Sequence, residues 1–198
     1  MTNLDRQSTE ALGRLHGETL PDSLVSALGP TGLRLYYRFV AHSPEELLLT
    51  TKSGKDLAAA CVFSFAPETL MSRFLAAHPF AIAALMLLHL PTSRRLRRFV
   101  RAKVMMNSPA DAAIESGLPE VVQIFVASGS QRQGLGAKLL ERLDAQLKQL
   151  GIRRYAVKTE DRLDNLALEF YRKNDYSEAG RLDNAGKSYV CFHKRLDD

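Results

Sequence analysis

The clearest pattern in the chain is a run of apolar residues at helical spacing. From Gly136 to Leu150 these are Leu139, Leu140, Leu143, Leu147 and Leu150. That spacing predicts an amphipathic helix with one buried stripe, and Gly151 ends it as a C-terminal cap. Two apolar runs flank it, Val121 to Ala127 and Ile152 to Lys158, and both read as strands. Strand, helix, strand is a crossover unit, and it makes its two strands parallel.

Other segments follow from the same reading. Residues 6–17 predict a short amphipathic helix on Leu12 and Leu15. A second helix starts at Pro21-Asp22-Ser23 and is stopped by Gly29-Pro30. A third covers Leu33 to Val40. Glu46–Thr51 and Leu57–Phe65 predict strands around the turn signal Ser53-Gly54-Lys55, so they should form an antiparallel hairpin. From Pro67 to about Met106 the pattern is helical, broken at Pro79 and Pro91, with Ala81, Ile82, Leu85 and Leu88 on one face. Asp164 should start a helix ending near Lys173, and Tyr176–Arg181 and Tyr189–Lys194 should close the sheet as a strand pair. The predicted class is α/β (α+β): a mixed, mostly antiparallel sheet, a central parallel βαβ unit and helices on both faces.

Composition narrows the function classes without naming one. The 198 residues suffice for one domain, and 45% hydrophobic with 25% charged residues is ordinary for a globular chain. The net charge of +5 favours anionic partners. The basic stretch RRLRRFVRAK lacks the interleaved aromatics that stack bases, so nucleic acid is disfavoured. The same stretch at 94–103 fits a solvated basic face or peripheral contact with a membrane. Cys61 and Cys191 read as buried free thiols, and no Cys or His spacing predicts a metal site. The polar N-terminus carries no signal core, so a cytoplasmic location is expected.

The loop between the first crossover strand and its helix is the candidate binding element. A helix entered from a strand leaves its first N–H groups without partners, and the helix dipole adds positive potential there. Glycines remove Cβ atoms that would block an approaching ligand, so such a junction suits a phosphate or pyrophosphate. Gly134 and Gly136 fit, and Arg132 adds charge. The loop matches neither a Walker loop nor the dinucleotide pattern. A plain turn containing two glycines is the competing interpretation.

The segment EVVQIFVASGSQRQGLGAKLLERL resembles the acetyl-CoA-binding core of the GNAT (GCN5-related N-acetyltransferase) superfamily. Gln131, Gly134 and Gly136 match that family's pyrophosphate motif. Downstream, NLALEFYRKNDY resembles its Asn-x-x-Ala-x-x-Phe-Tyr helix through Asn165, Ala167, Phe170 and Tyr171. The likeness covers roughly residues 119–194. The chain departs at Asn174-Asp175, where the family has small residues before the aromatic, and at Arg132, where it often has Gly.

The resemblance implies one acetyltransferase domain over 1–198, with a helical insertion at about 66–118. It implies acetyl-CoA as co-substrate and no metal. Backbone and side chains at Gln131, Arg132, Gln133, Gly134, Leu135 and Gly136 would hold the pyrophosphate. A splay between Ile124–Phe125–Val126 and the next strand would receive the pantetheine arm as an added strand. Asn165 and Phe170 complete the expected cofactor set, although Asn165 could equally cap its own helix and Phe170 could be core. Glu120, at the start of its strand, is the expected general base; the alternative is a solvated loop carboxylate after Pro119. Tyr171 is the expected general acid at the sulfur, with a core tyrosine as its alternative. The acceptor would be a primary amine of a small molecule, held by residues 20–42 and 66–118. A non-catalytic acyl-CoA sensor and N-acetylation of a protein amine are the alternatives, and a homodimer is compatible.

Overall fold

The computed structural model describes residues 5–91, 96–97, 117–184 and 187–196. Most of the basic stretch 94–103 and the C-terminal part of the expected insertion at 66–118 lie outside the described residues. Three helices come first: α1 (Arg6–Thr19), α2 (Leu24–Ala27) and α3 (Gly29–His42). The hairpin β1 (Glu46–Ser53) and β2 (Asp56–Ser64) follows, then α4 (Pro67–Ala77) and α5 (Pro79–His89). The C-terminal part runs β3 (Glu120–Val126), a 3-10 turn (Ser128–Ser130), α6 (Leu135–Gln149), β4 (Arg154–Glu160), α7 (Leu166–Lys173), β5 (Ser177–Asn184) and β6 (Lys187–Arg195). The six strands form one sheet in the order β1-β2-β3-β4-β6-β5. Every neighbouring pair is antiparallel except β3 and β4. The predicted class is the observed one.

Local chemistry explains the boundaries. Gly29-Pro30 does not simply stop a helix, as expected; α3 itself begins at Gly29, with Pro30 in its first turn, where the missing N–H costs nothing. The predicted start at Asp164 moves to Leu166, because Asn165 is the residue that caps, its Oδ1 accepting from Ala167 N–H at 3.1 Å. Asp164 pairs with Arg162 instead. Helix α6 ends at Gln149, so Leu150 leaves the predicted stripe and stands 57% exposed. Gly151, at φ +74, lets Ile152 N–H return to Leu147 O at 2.9 Å. The expected face of α5 also splits: Ile82 is buried and Leu85 packs inward, whereas Ala81 and Leu88 are exposed.

Strand β2 separates two cores. Ala59, Cys61 and Phe63 point to the layer of α6 and α7, where Leu139, Leu140, Leu143 and Leu147 supply the predicted stripe. Ala60 and Val62 point to the opposite layer, built by α1 through α5 around Leu12, Tyr36, Tyr37, Val40 and Phe74. Burial on both faces is why β2 reads as a continuous apolar run rather than an alternating one.

A polar chain crosses the second core. His16 is fully buried, with Nδ1 2.6 Å from the Tyr37 hydroxyl and Nε2 2.7 Å from the Ser23 hydroxyl. Ser23 donates to Ser26, which donates to Leu20 O. One neutral tautomer satisfies every link, with Nε2 donating and Nδ1 accepting. Burial lowers the His16 pKa to about 4. The unfolded chain therefore binds a proton that the fold rejects, and stability contributed above pH ~6.5 is lost as pH falls toward 4. Urea titrations across that window should show a loss of about 3 kcal/mol that His16→Gln removes. Parallel pH profiles for the two proteins would contradict this.

Candidate functional site

Strands β3 and β4 pair only at Glu120–Ala156 and Val121–Val157, and then part. Each stays bound on its outer edge: β3 follows β2 to Val126–Ala59, and β4 follows β6 along its whole length. The β2–β3 register steps from Phe63–Val121 to Val62–Gln123, which leaves Val122 as a bulge directly after the last β3–β4 pair. A bulge bends and twists its strand, so the parting has a local cause. Beyond it, the edge of β3 at Ile124–Val126 has no strand partner on the β4 side among the described residues. The Phe125 side chain is buried in the second core, 5.5 Å from the His16 ring, while Ile124 and Val126 pack on the α6 layer.

The loop after β3 ends at a helix with an open N-terminus. The first backbone bond of α6 is Lys138 N–H to Gly134 O at 3.0 Å, and no side chain caps the helix. The amides of Leu135, Gly136 and Ala137 thus point out of the helix end with no backbone or capping acceptor among the described residues. Arg132 (φ 61) and Gly134 (φ 74) both take left-handed conformations, and a Cβ on Gly134 would meet nothing within 4 Å. Gln131, Arg132 and Gln133 are exposed around this opening. Gly136 also has a packing reason for being glycine. Its Cβ would stand 3.1 Å from Phe170 Cζ, so the glycine makes room for α7.

Glu120 begins β3 with its side chain 12% exposed, and Oε2 lies 3.0 Å from Lys158 Nζ. Val121 faces the α6 layer, so alternation turns Glu120 to the other face. Across the sheet Glu120 registers with Ser64, and Ser64 with Glu46. Glu46 is a buried carboxylate held by both ends of the Arg73 guanidinium, at 2.6 and 3.1 Å, and by the Ser64 hydroxyl at 2.9 Å. Gln123, just past the bulge, keeps a buried Oε1 without a hydrogen-bond partner among the described residues.

Tyr171 projects from α7 into the first core between Tyr176 and Phe192. Its hydroxyl makes no hydrogen bond among the described residues, and burial, with Cys61 and Glu120 nearby, pushes its pKa up. Tyr171 and Glu120 are therefore within electrostatic reach of each other. Asn165 is fully occupied as a donor, through Thr159 Oγ1 at 2.9 Å and Glu160 O at 2.6 Å.

Two site features have no signal in the sequence. Lys158 and Cys191 face each other across β4 and β6 near Glu120. Burial raises the pKa of the Cys191 thiol, and that of Cys61 to about 12, so both thiols stay protonated. The Glu46–Arg73 pair was equally invisible. Strand pairing sets Lys158 beside Cys191 and Glu120, whereas Arg73 reaches Glu46 from α4, and the sequence around each holds no motif. Among the described residues no cluster of His, Cys, Asp and Glu could hold a metal ion.

Residues 99–178 match the family model of the acetyltransferase (GNAT) domain. No curated protein matches the sequence. An aminoglycoside 6'-N-acetyltransferase complexed with coenzyme A is similar in structure over 100% of this chain and 96% of its own, with TM-score 0.64 and 14% identity. The ribosomal-protein-S18-alanine N-acetyltransferase from Escherichia coli is similar over 98% and 92%, with TM-score 0.58 and 12% identity. An N-acetyltransferase from Staphylococcus aureus Mu50 is similar over 98% and 96%, with TM-score 0.60 and 12% identity. At these identities the structural likeness is one of fold. The chain has the GNAT acetyltransferase fold, and its motifs resemble that superfamily as the sequence indicated.

The two loop glycines should fail differently. Gly134→Ala forces a left-handed residue and should cost about 1 kcal/mol. Gly136→Val pushes Phe170 aside and should cost about 1–3 kcal/mol. In urea denaturation, adding Phe170→Leu should recover part of the second loss and none of the first. Equal recovery of both would refute the assignment.

Proposed function

We infer that the chain is an acetyl-CoA-dependent N-acetyltransferase acting on a primary amine of a small molecule, by direct transfer in a ternary complex. On this reading residues 1–198 form one catalytic domain with a helical insertion at about 66–118. The observation that carries the reading is the uncapped start of α6, set beside the unpaired edge of β3. The amides of Leu135, Gly136 and Ala137 suit a pyrophosphate, and the exposed Gln131, Arg132 and Gln133 can add contacts and charge. The open space above Gly134 lets a phosphate approach the backbone.

The remaining residues divide the chemistry. The free edge at Ile124, Phe125 and Val126 binds a pantetheine arm by strand addition, and one of its amides polarises the thioester carbonyl. Glu120 takes the proton from the attacking amine, directly or through water. As the carbon–nitrogen bond forms, the carbon–sulfur bond breaks, and Tyr171 gives its phenolic proton to the departing sulfur. Its raised pKa keeps that proton in place until then. Asn165 acts by capping α7, which aims Tyr171 and keeps Phe170 against Gly136. Glu120 must leave Lys158 to work as a base. That ion pair favours a second reading, a non-catalytic acyl-CoA-binding module.

Release of free thiol from acetyl-CoA over a panel of amino sugars, polyamines and aminoglycosides separates the two readings. Turnover on at least one amine is expected, and binding without turnover on any would favour the module. Tyr171→Phe should lower kcat ~100-fold with an unchanged KM for acetyl-CoA. An unchanged kcat would remove Tyr171 from the mechanism.

A further inference from the structure

Helix α5 is apolar on every side, a composition found in buried helices or in those that meet lipid. One flank is spoken for: Ile82 is buried, and Leu85 and Met86 pack on the second core. The other presents Phe80, Leu87 and Leu88, which are 89%, 75% and 68% exposed, with Ala81, Ala83 and Ala84 between them. The other large exposed hydrophobics among the described residues, Leu150, Leu163 and Leu166, lie on different elements. Concentration on one helix face marks an interaction surface rather than scatter.

Charge selects the partner. No Asp or Glu occurs between Glu68 and Asp111, while seven Arg and Lys residues do: Arg73, which is bound to Glu46, and six more after α5. Arg97 fixes one of those cations at the C-terminal end of α5, where its guanidinium donates to the carbonyls of Leu90, at 3.2 Å, and Pro91. A second copy of this chain carries the same net charge of +5. An anionic bilayer offers an apolar layer for the flank and a negative surface for the cations. The geometry suits lying on such a surface rather than crossing it. No single described helix is long and apolar enough to span a membrane, and α4 and α5 meet at a bend of 91°. Leu70 and Phe74 anchor α4, and α5 turns away from it with Ile82, Leu85 and Met86 inward and its other flank outward. We propose that the exposed flank of α5 docks the protein on an anionic membrane surface.

The test is co-sedimentation of the full chain with vesicles of phosphatidylcholine alone or with about 30% phosphatidylglycerol, at about 0.15 M salt. Binding to the anionic vesicles alone is expected, weakened at least ~10-fold by Leu87→Ser with Leu88→Ser. Raising salt to about 1 M should weaken it too. Absence of binding even at low salt would overturn the proposal, as would binding that ignores the double substitution. So would a stable dimer that the substitution splits without any vesicle binding. A lowered melting temperature in the double variant, with no vesicle binding by either protein, would assign the flank to another part of this chain. Circular dichroism confirms that the double variant folds.

Discussion

The separation of β3 from β4 after two paired residues is the constraint on which the proposed site depends. A parallel pair buried between two helical layers would ordinarily satisfy its backbone groups along its full length. Here β2 and β6 hold the outer edges, and the Val122 bulge turns β3 away, so the inner edges are left to something else. The same crossover ends at the uncapped start of α6. One topological unit thus yields an unpaired strand edge and a set of convergent amides side by side.

The two layers flanking the sheet contribute different chemistry to that gap. The α6–α7 layer brings Tyr171, kept protonated by burial among aromatic rings, and uses Gly136 to bring Phe170 against the loop. The α1–α5 face carries Glu120 with Lys158, next to the Glu46–Ser64–Arg73 group. On the proposed mechanism, the acid Tyr171 and the base Glu120 would serve the gap from opposite faces of one sheet. An arrangement of this kind holds two proton-transfer groups apart without either blocking the space between them.

Much of this was legible before the structure. The leucine stripe of α6, the crossover unit and the Gly-rich junction follow from periodicity and turn chemistry. The GNAT-like motifs added the expected splay. Other features depend on residues far apart in the chain. Nothing near Gly136 reveals that Phe170 fills the space its Cβ would need. Val122 is as good a strand residue as its neighbours, so the bulge leaves no trace in the sequence. Asp164 and Asn165 are both competent caps, and only the position of Thr159 and Glu160 makes Asn165 the one used. Helix α5 lacks a polar face, so its periodicity could not say which flank is buried.

Amide-resolved NMR during titration with coenzyme A tests the central claim most directly. The account predicts that the N–H signals of Leu135, Gly136 and Ala137 move together and become slower to exchange with solvent, along with those at Ile124–Val126. A saturating titration in which these amides stay unchanged while others respond would contradict it.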